Sequence, residues 1–378
     1  MAADPSASET VLLLVIVAAR LFVPLLIPRL PLMIVAALVL DAVDHTLLET
    51  FTDFDTSPTG PYQSVDKALD IYYLSIAYLA TMRNWTSDAA FRISQFLFYY
   101  RLVGSMLFEL TGARAMLLVF PNSFEYFFIL YEVIRLRYQP SRFSARFWLW
   151  AAAVIWVVVK LPQEYWIHVA KLDFTDTVRD HPVFGIAVGA GLLVAVIVFI
   201  VVVLPRLPAP DWSWRLRSDT EPVRVLQSRE GVGGRRVLTP ATLEQVCLLT
   251  LLCIIFANIL PGLDATVPQL VLGIGAIVIA NAAITAAVHR GRLTPRSAIE
   301  HYLARLLTNV VFLYAGNAML GDRRDFAARY GIFFAFLITT MIWLHDAFYP
   351  VHQVRFTDST LRVRSVADLL RRVREPSP

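Results

Sequence analysis

Lysine is almost missing from this chain: Lys67, Lys160 and Lys171 are the only three in 378 residues, and every other basic side chain is arginine. We read that scarcity as compositional bias rather than chemistry. Charge of either sign is also thin, at 17% of residues, where soluble domains carry about 25%. Cysteine is limited to Cys247 and Cys253, six apart in one apolar run. They are too few for a disulfide framework and off a common helix face, so we expect inert core thiols. The first apolar run lacks a basic leader region and an A-x-A site, so it reads as a span and not as a cleaved signal peptide.

What the chain has instead is hydrocarbon, with 57% hydrophobic residues and a mean hydropathy of +0.58. The apolar residues come in long blocks, the mark of an all-α polytopic integral membrane protein rather than one large soluble core. Stretches long enough to span fall near 11–28, 31–50, 65–83, 92–111, 115–134, 146–163, 183–204, 242–260, 268–288, 300–320 and 330–349. That predicts about eleven transmembrane helices. Alternate loops differ in basic content: one set, from Arg29 to the tail, holds 23 arginines, and the other holds seven lysines and arginines. The positive-inside rule then places the N-terminus outside and the C-terminus inside. With basic residues flanking spans, the net charge of +4 points to membrane lipid headgroups and not to nucleic acid. A multi-pass protein of a bacterial inner or plasma membrane is the expected setting.

Four parts follow. Residues 1–204 form a seven-span part with a polar cavity, and 205–241 an Arg-, Pro- and Gly-rich cytoplasmic linker with little fold of its own. Residues 242–349 form a four-span scaffold, and 350–378 an amphipathic basic tail suited to the inner leaflet. No internal repeat links the two membrane parts.

Charges inside spans carry the functional signal, because a carboxylate at mid-bilayer costs about 2.5–3.5 kcal/mol on insertion scales. In LDAVDHTLLETFTDFD, the side chains of Asp41, Asp44, His45 and Glu49 share one helix face. Such a face must look into the bundle or a wet cavity. Matching depths suggest two structural ion pairs, Arg20 with Asp41 and Arg101 with Glu125, and an inner-boundary pair of Glu132 with Arg135. Asp66 and Asp70 open the third span, Glu109 closes the fourth, and Glu164, His168 and Asp173 follow the sixth. Pro121 breaks the fifth span, and Asn122 beside it is the expected cap for the freed carbonyl. In the second part, the span asparagines read as interhelical hydrogen bonds, and His345-Asp346 as a solvated helix end.

Carboxylates and histidine at i, i+3 and i+4 are ligand spacing for a divalent cation. We expect Asp44, His45, Asp70, His168 and Asp173 as candidate ligands, and Asp44, His45, Glu49, Asp70 and His168 as candidate acid, base or ligand groups. An outward-facing acidic site of this kind suits an enzyme acting on a lipid or lipid-linked substrate, with the cation offsetting phosphate charge. Two other readings fit: a proton- or cation-coupled transporter, whose relay such residues would form, and a non-catalytic assembly protein. No stretch matches a family pattern that would allow residue roles to be carried over.

Overall fold

The computed structural model describes residues 7–52, 61–113, 115–166, 177, 179–198, 201–202, 206, 208–218, 240–259, 273–281, 283–284, 298–319 and 328–356. Among them there is no strand. In chain order the helices are α1 (Ala7–Phe22), α2 (Met33–Phe51), α3 (Pro61–Asn84), α4 (Asp88–Thr111), α5 (Ala115–Val119) and α6 (Ser123–Arg135). There follow α7 (Ala145–Val154), a π-turn (Ile155–Lys160), α8 (Leu161–Glu164), α9 (Pro182–Val198), α10 (Pro240–Ile259), α11 (Ala298–Met319) and α12 (Ala328–Phe356).

Local chemistry explains the borders. Proline opens α3, α9 and α10, where its missing N–H costs nothing. Ser87 and Ser144 cap α4 and α7 by accepting from the Ala90 and Phe147 amides at 3.4 and 3.3 Å. Gly112 ends α4 at φ +67° with its N–H on the Phe108 carbonyl at 2.7 Å, a left-handed position that favours glycine.

The axis of the bundle is α3, in which every residue from Ile71 to Arg83 is buried. It packs against α12, α10, α4, α2 and α1. A helix buried all round is expected to be largely apolar, and its serine and threonine hydroxyls are satisfied on their own backbone. Ser75 donates to the Ile71 carbonyl at 2.7 Å and Thr81 to that of Tyr78 at 2.6 Å. Aromatic rings fill the space around it: Tyr78 stacks on Phe98 at 4.3 Å and Trp85 on Tyr131 at 3.8 Å.

The outside of the bundle is also apolar, with Trp150, Val157 and Val158 near α7, Val183 and Ile186 on α9, and Leu307 on α11 all exposed. Ser8–Leu26, Ala115–Arg135, Ala145–Glu164 and Gly331–Gln353 are long and apolar enough to cross a membrane. The α2 helix, interrupted by Asp41, Asp44 and Glu49, is not among these four.

The fifth apolar run is broken between α5 and α6, and the break is capped differently from the sequence expectation. Tyr100 Oη donates to the Val119 carbonyl at 3.0 Å and Arg101 to that of Phe120 at 3.3 Å. So two side chains of α4 do the work assigned to Asn122, which turns to Glu125 instead. Close approach makes this possible: a Cβ built on Gly104 of α4 would overlap the Phe120 side chain.

Two further expectations are corrected. Cys253 is buried but Cys247 is exposed, since six residues turn the helix to another side. His345 is buried, and Asp346 pairs with the buried Arg305 at 2.7 Å and accepts from Gln245 at 2.9 Å. That helix end is packed, not solvated. Of the span asparagines, Asn281 donates to Asn309 at 2.7 Å and Asn309 to Thr339 at 2.9 Å.

Residues 208–218, within the stretch read as a linker with little fold of its own, form a strap with a defined path. The Asp211 and Arg215 amides donate to the Arg137 and Leu136 carbonyls at 3.0 and 3.1 Å, and Trp212 Nε1 to that of Arg135 at 3.0 Å. Ser218 closes the strap against the α1–α2 connection, donating to the Pro28 carbonyl at 2.8 Å and accepting from Arg83 at 2.6 Å. The strap gathers Arg29, Arg83, Arg135 and Arg142 at one end of the bundle. The tail from 357 on and linker residues 219–239 lie outside the described residues.

Two outcomes test this packing. Gly104→Ala should lower the thermal midpoint in detergent, because overpacking of about 1–3 kcal/mol outweighs the roughly 1 kcal/mol gained in helix propensity. An unchanged or higher midpoint would mean that Phe120 is free to move. On the strap, the Gln139 amide at 2.8 Å and then Arg142 at 2.7 Å hold the exposed Asp211 carboxyl below the usual carboxylate range. A depressed folded value stabilises docking above the ordinary pKa of about 3.9 and is lost as pH falls through the folded value. Hydrogen exchange of the Asp211 and Arg215 amides, corrected for intrinsic rates, should therefore accelerate only below about pH 4. Asp211→Asn should show fast exchange at neutral pH with no acid step.

Candidate functional site

At the end of the bundle opposite the strap, α1, α2 and α3 meet on a single buried guanidinium. Arg20, on the last turn of α1, donates through Nη1 to Asp44 and Asp66 and through Nη2 to Asp41 and Asp70. Helical spacing puts the aspartates there: Asp41 and Asp44 are i and i+3 on α2, and Asp66 and Asp70 are i and i+4 on α3. All four terminal N–H groups of the arginine are used. Four carboxylates against one guanidinium leave a formal charge of −3 when all are ionised.

That surplus is costly. Two like charges about 4 Å apart repel by roughly 4 kcal/mol at an effective dielectric constant near 20. The carboxylate oxygens of Asp41, Asp66 and Asp70 nevertheless lie within 4.8 Å of one another. Oxygens on opposite sides of an ion coordinated at about 2.0–2.6 Å are separated by just such a span, so these residues fit a hard divalent cation. An all-oxygen donor set favours magnesium, calcium or manganese over zinc.

The set differs from the one expected. Asp44 and Asp70, predicted as ligands without a cationic partner, both receive Arg20, which the sequence assigned to Asp41 alone. Asp66 joins Asp41 and Asp70 in place of Asp44. His45 and Glu49 follow on α2, with side chains outside the described part, and His168 and Asp173 lie outside the described residues altogether.

A second polar group sits beside the first. Tyr73, one turn below Asp70 on α3, donates to Glu125 at 2.8 Å, and Asn122 donates to the other oxygen of Glu125 at 3.0 Å. The expected Arg101–Glu125 ion pair is not formed, because Arg101 turns to the Phe120 carbonyl at the break. Depth along the helices matches for that pair, but direction around them does not. Lys160 is instead the first cation whose field reaches Glu125. It is buried, 4.2 Å above the Tyr126 ring, and Glu164 is its second acidic neighbour. Pro162 explains why both point inward: it supplies no N–H, and the helix widens into the π-turn that carries Lys160. At the same end of the bundle, Lys67 pairs with Glu109 at 3.5 Å.

The polar array stops there. Below it Tyr78, Phe98, Phe124 and Phe128 are buried and in ring contact. The next buried acid, Glu132, is already held by Arg135 at 2.5 Å and by Trp85 Nε1 at 2.9 Å. Sequence reasoning missed Tyr73, Lys160 and Asp66 as members of the site. The i, i+4 pair Asp66–Asp70 and the lone lysine after VVV were the available signals.

The described residues thus form an all-helical bundle with membrane-compatible helices and a partly buried, acid-rich cluster at one end. Comparison with protein-family models, with curated proteins and with solved structures gives no match.

Arg20→Gln removes the cation that these four carboxylates share, and only Asp44 among them is buried, so the loss falls below the roughly 3–5 kcal/mol of a fully buried pair. The variant's thermal midpoint should fall at neutral pH and recover with added calcium or magnesium. A midpoint equal to that of the unaltered protein would show that the arginine does not hold the cluster together.

Proposed function

We propose that the chain is a multi-pass membrane protein of about eleven spans, N-terminus outside and C-terminus inside. In this reading its outward-facing aspartate cluster takes up a hard divalent cation and acts on a lipid or lipid-linked phosphate. The convergence of Asp41, Asp66 and Asp70 around Arg20 carries the reading. The gathering of Arg29, Arg83, Arg135 and Arg142 at the strap end supports the orientation, because basic loops mark the cytoplasmic side.

Roles follow from position. Asp41, Asp66 and Asp70 hold the cation, and Arg20 fixes their carboxylates and limits their repulsion. Bound there, the cation would neutralise phosphate oxygens and acidify a water or hydroxyl. Asp44 supports Arg20 from the buried side. Glu125, held by Tyr73 and Asn122, is the carboxylate placed to exchange a proton with that site through the tyrosine hydroxyl. His45 on the following residue of α2 remains a candidate base by position alone.

A cation-coupled transporter is the second reading, favoured by the hydrogen bond from Tyr73 to Glu125 and the field of Lys160 that reaches Glu125. The aromatic wall beneath the array favours a one-sided site instead. Titration of Mn²⁺ into protein in nanodiscs, followed by electron paramagnetic resonance, should show one saturable site. Its affinity should fall at least tenfold in Asp66→Asn and in Asp70→Asn, and phosphate release from polyprenyl phosphate or phosphatidic acid should require the ion. Equal binding by both variants would sink the cation site. Ion uptake into proteoliposomes without phosphate release would transfer the assignment to transport.

A further inference from the structure

A separate groove of about 340 Å³ runs along the outside of α4, lined by Arg92, Gln95, Phe96, Tyr99, Tyr100, Val103 and Phe120. It is remote from the aspartate cluster, near the strap end. We propose that this groove binds one acyl chain of an anionic phospholipid, with the lipid phosphate on Arg92.

Length, shape and charge each point to that occupant. From Arg92 to Val103 is eleven residues of helix, about 16 Å at 1.5 Å per residue, and one leaflet of a bilayer core of about 30 Å is about 15 Å deep. The groove therefore spans a single leaflet. Its far end is set by the α5–α6 break, where Phe120 comes against Gly104. Its walls are aromatic and rigid: Phe96 and Tyr100 stack at 5.5 Å, and Trp156 lies 4.9 Å from Tyr100. Rigid walls lower the ordering cost of binding a flexible chain.

The charged end matches a phosphate. Asp88 engages only Nε of Arg92, at 2.9 Å, and the two terminal nitrogens of Arg92 make no hydrogen bond among the described residues. Arg355 lies close by, its field and that of Arg92 both reaching His352. The neighbouring acid, Glu244, is committed inward to Tyr78 at 2.6 Å and Gln95 at 3.1 Å. A phosphate at this height would also lie level with the basic loops, in the leaflet where anionic lipids draw arginine.

Native mass spectrometry of the full chain, released from mixed phosphatidylglycerol and phosphatidylcholine micelles, tests this. The unaltered protein should retain one phosphatidylglycerol in preference to phosphatidylcholine. Arg92→Gln should cut that preference about fivefold, the effect of one arginine near a lipid surface. Val103→Phe, which fills the closed end of the groove, should lose the retained lipid of either headgroup. Thermal midpoints check folding, and if Val103→Phe fails that check the Arg92→Gln comparison alone decides. Equal retention of both lipids by the unaltered protein, or unchanged retention in both variants, overturns the proposal. So does a dimer that Val103→Phe dissolves, since a second copy would then be the occupant.

Discussion

One guanidinium holds three helices together at the acid-rich end of this protein. Much of α1 is exposed along its length, and α1 packs mainly against α2. Its one deeply buried charge, Arg20, reaches both α2 and α3 and uses every terminal N–H on a carboxylate. Charge-assisted hydrogen bonds of this kind are about twice as strong as neutral ones and fix geometry as well. The same arrangement is electrostatically incomplete. One positive charge does not offset four negative ones, so the cluster keeps a net acidic character toward its partly exposed side. Structure and chemistry are therefore the same interaction at this end: whatever completes the charge also completes the packing of α1 onto the bundle.

The uniform burial of α3 is what allows such a cluster to exist. An axis enclosed by α12, α10, α4 and α2 carries acids only near its opening turns, at Asp66 and Asp70. Deeper in, two of its tyrosines are tied to acids, Tyr73 to Glu125 and Tyr78 to Glu244. Aromatic stacking then fills the middle without polar gaps. Interiors packed this densely do not adjust by small steps.

Helix positions were legible in the sequence, because runs of apolar residues bounded by proline, serine and glycine leave few alternatives. The stripe Asp41–Asp44 and the pair Asp66–Asp70 were legible as well, since helical periodicity puts each set on one face. How those faces meet was not. Depth along a helix can be counted from its ends, but rotation about its axis is decided by packing. Hence Arg20 serves four acids rather than one, and Arg101 leaves Glu125 for a carbonyl that Pro121 set free. The strap at 208–218 was hidden for another reason: its contacts are backbone amides on backbone carbonyls, which no side-chain pattern reports. Arg305 lay unnoticed inside an apolar run, and its partner Asp346 consequently looked solvated.

The asymmetry of the polar groups bears on the choice between chemistry and transport. The aspartate cluster, Glu125, Lys160 and Arg101 lie above Tyr78, and the buried acid below it, Glu132, is held by Arg135. An ion crossing from Glu125 toward the strap would shed its ligands against Phe124 and Phe128, which offer none. A charge unpaired in hydrocarbon costs several kcal/mol even after relaxation. Transport would therefore need α4 and α6 to separate, and α4 is already packed at Gly104 directly on Phe120 of the neighbouring α5–α6 break. A site that binds and reacts from one side needs no such opening, and that is the physical reason for preferring it.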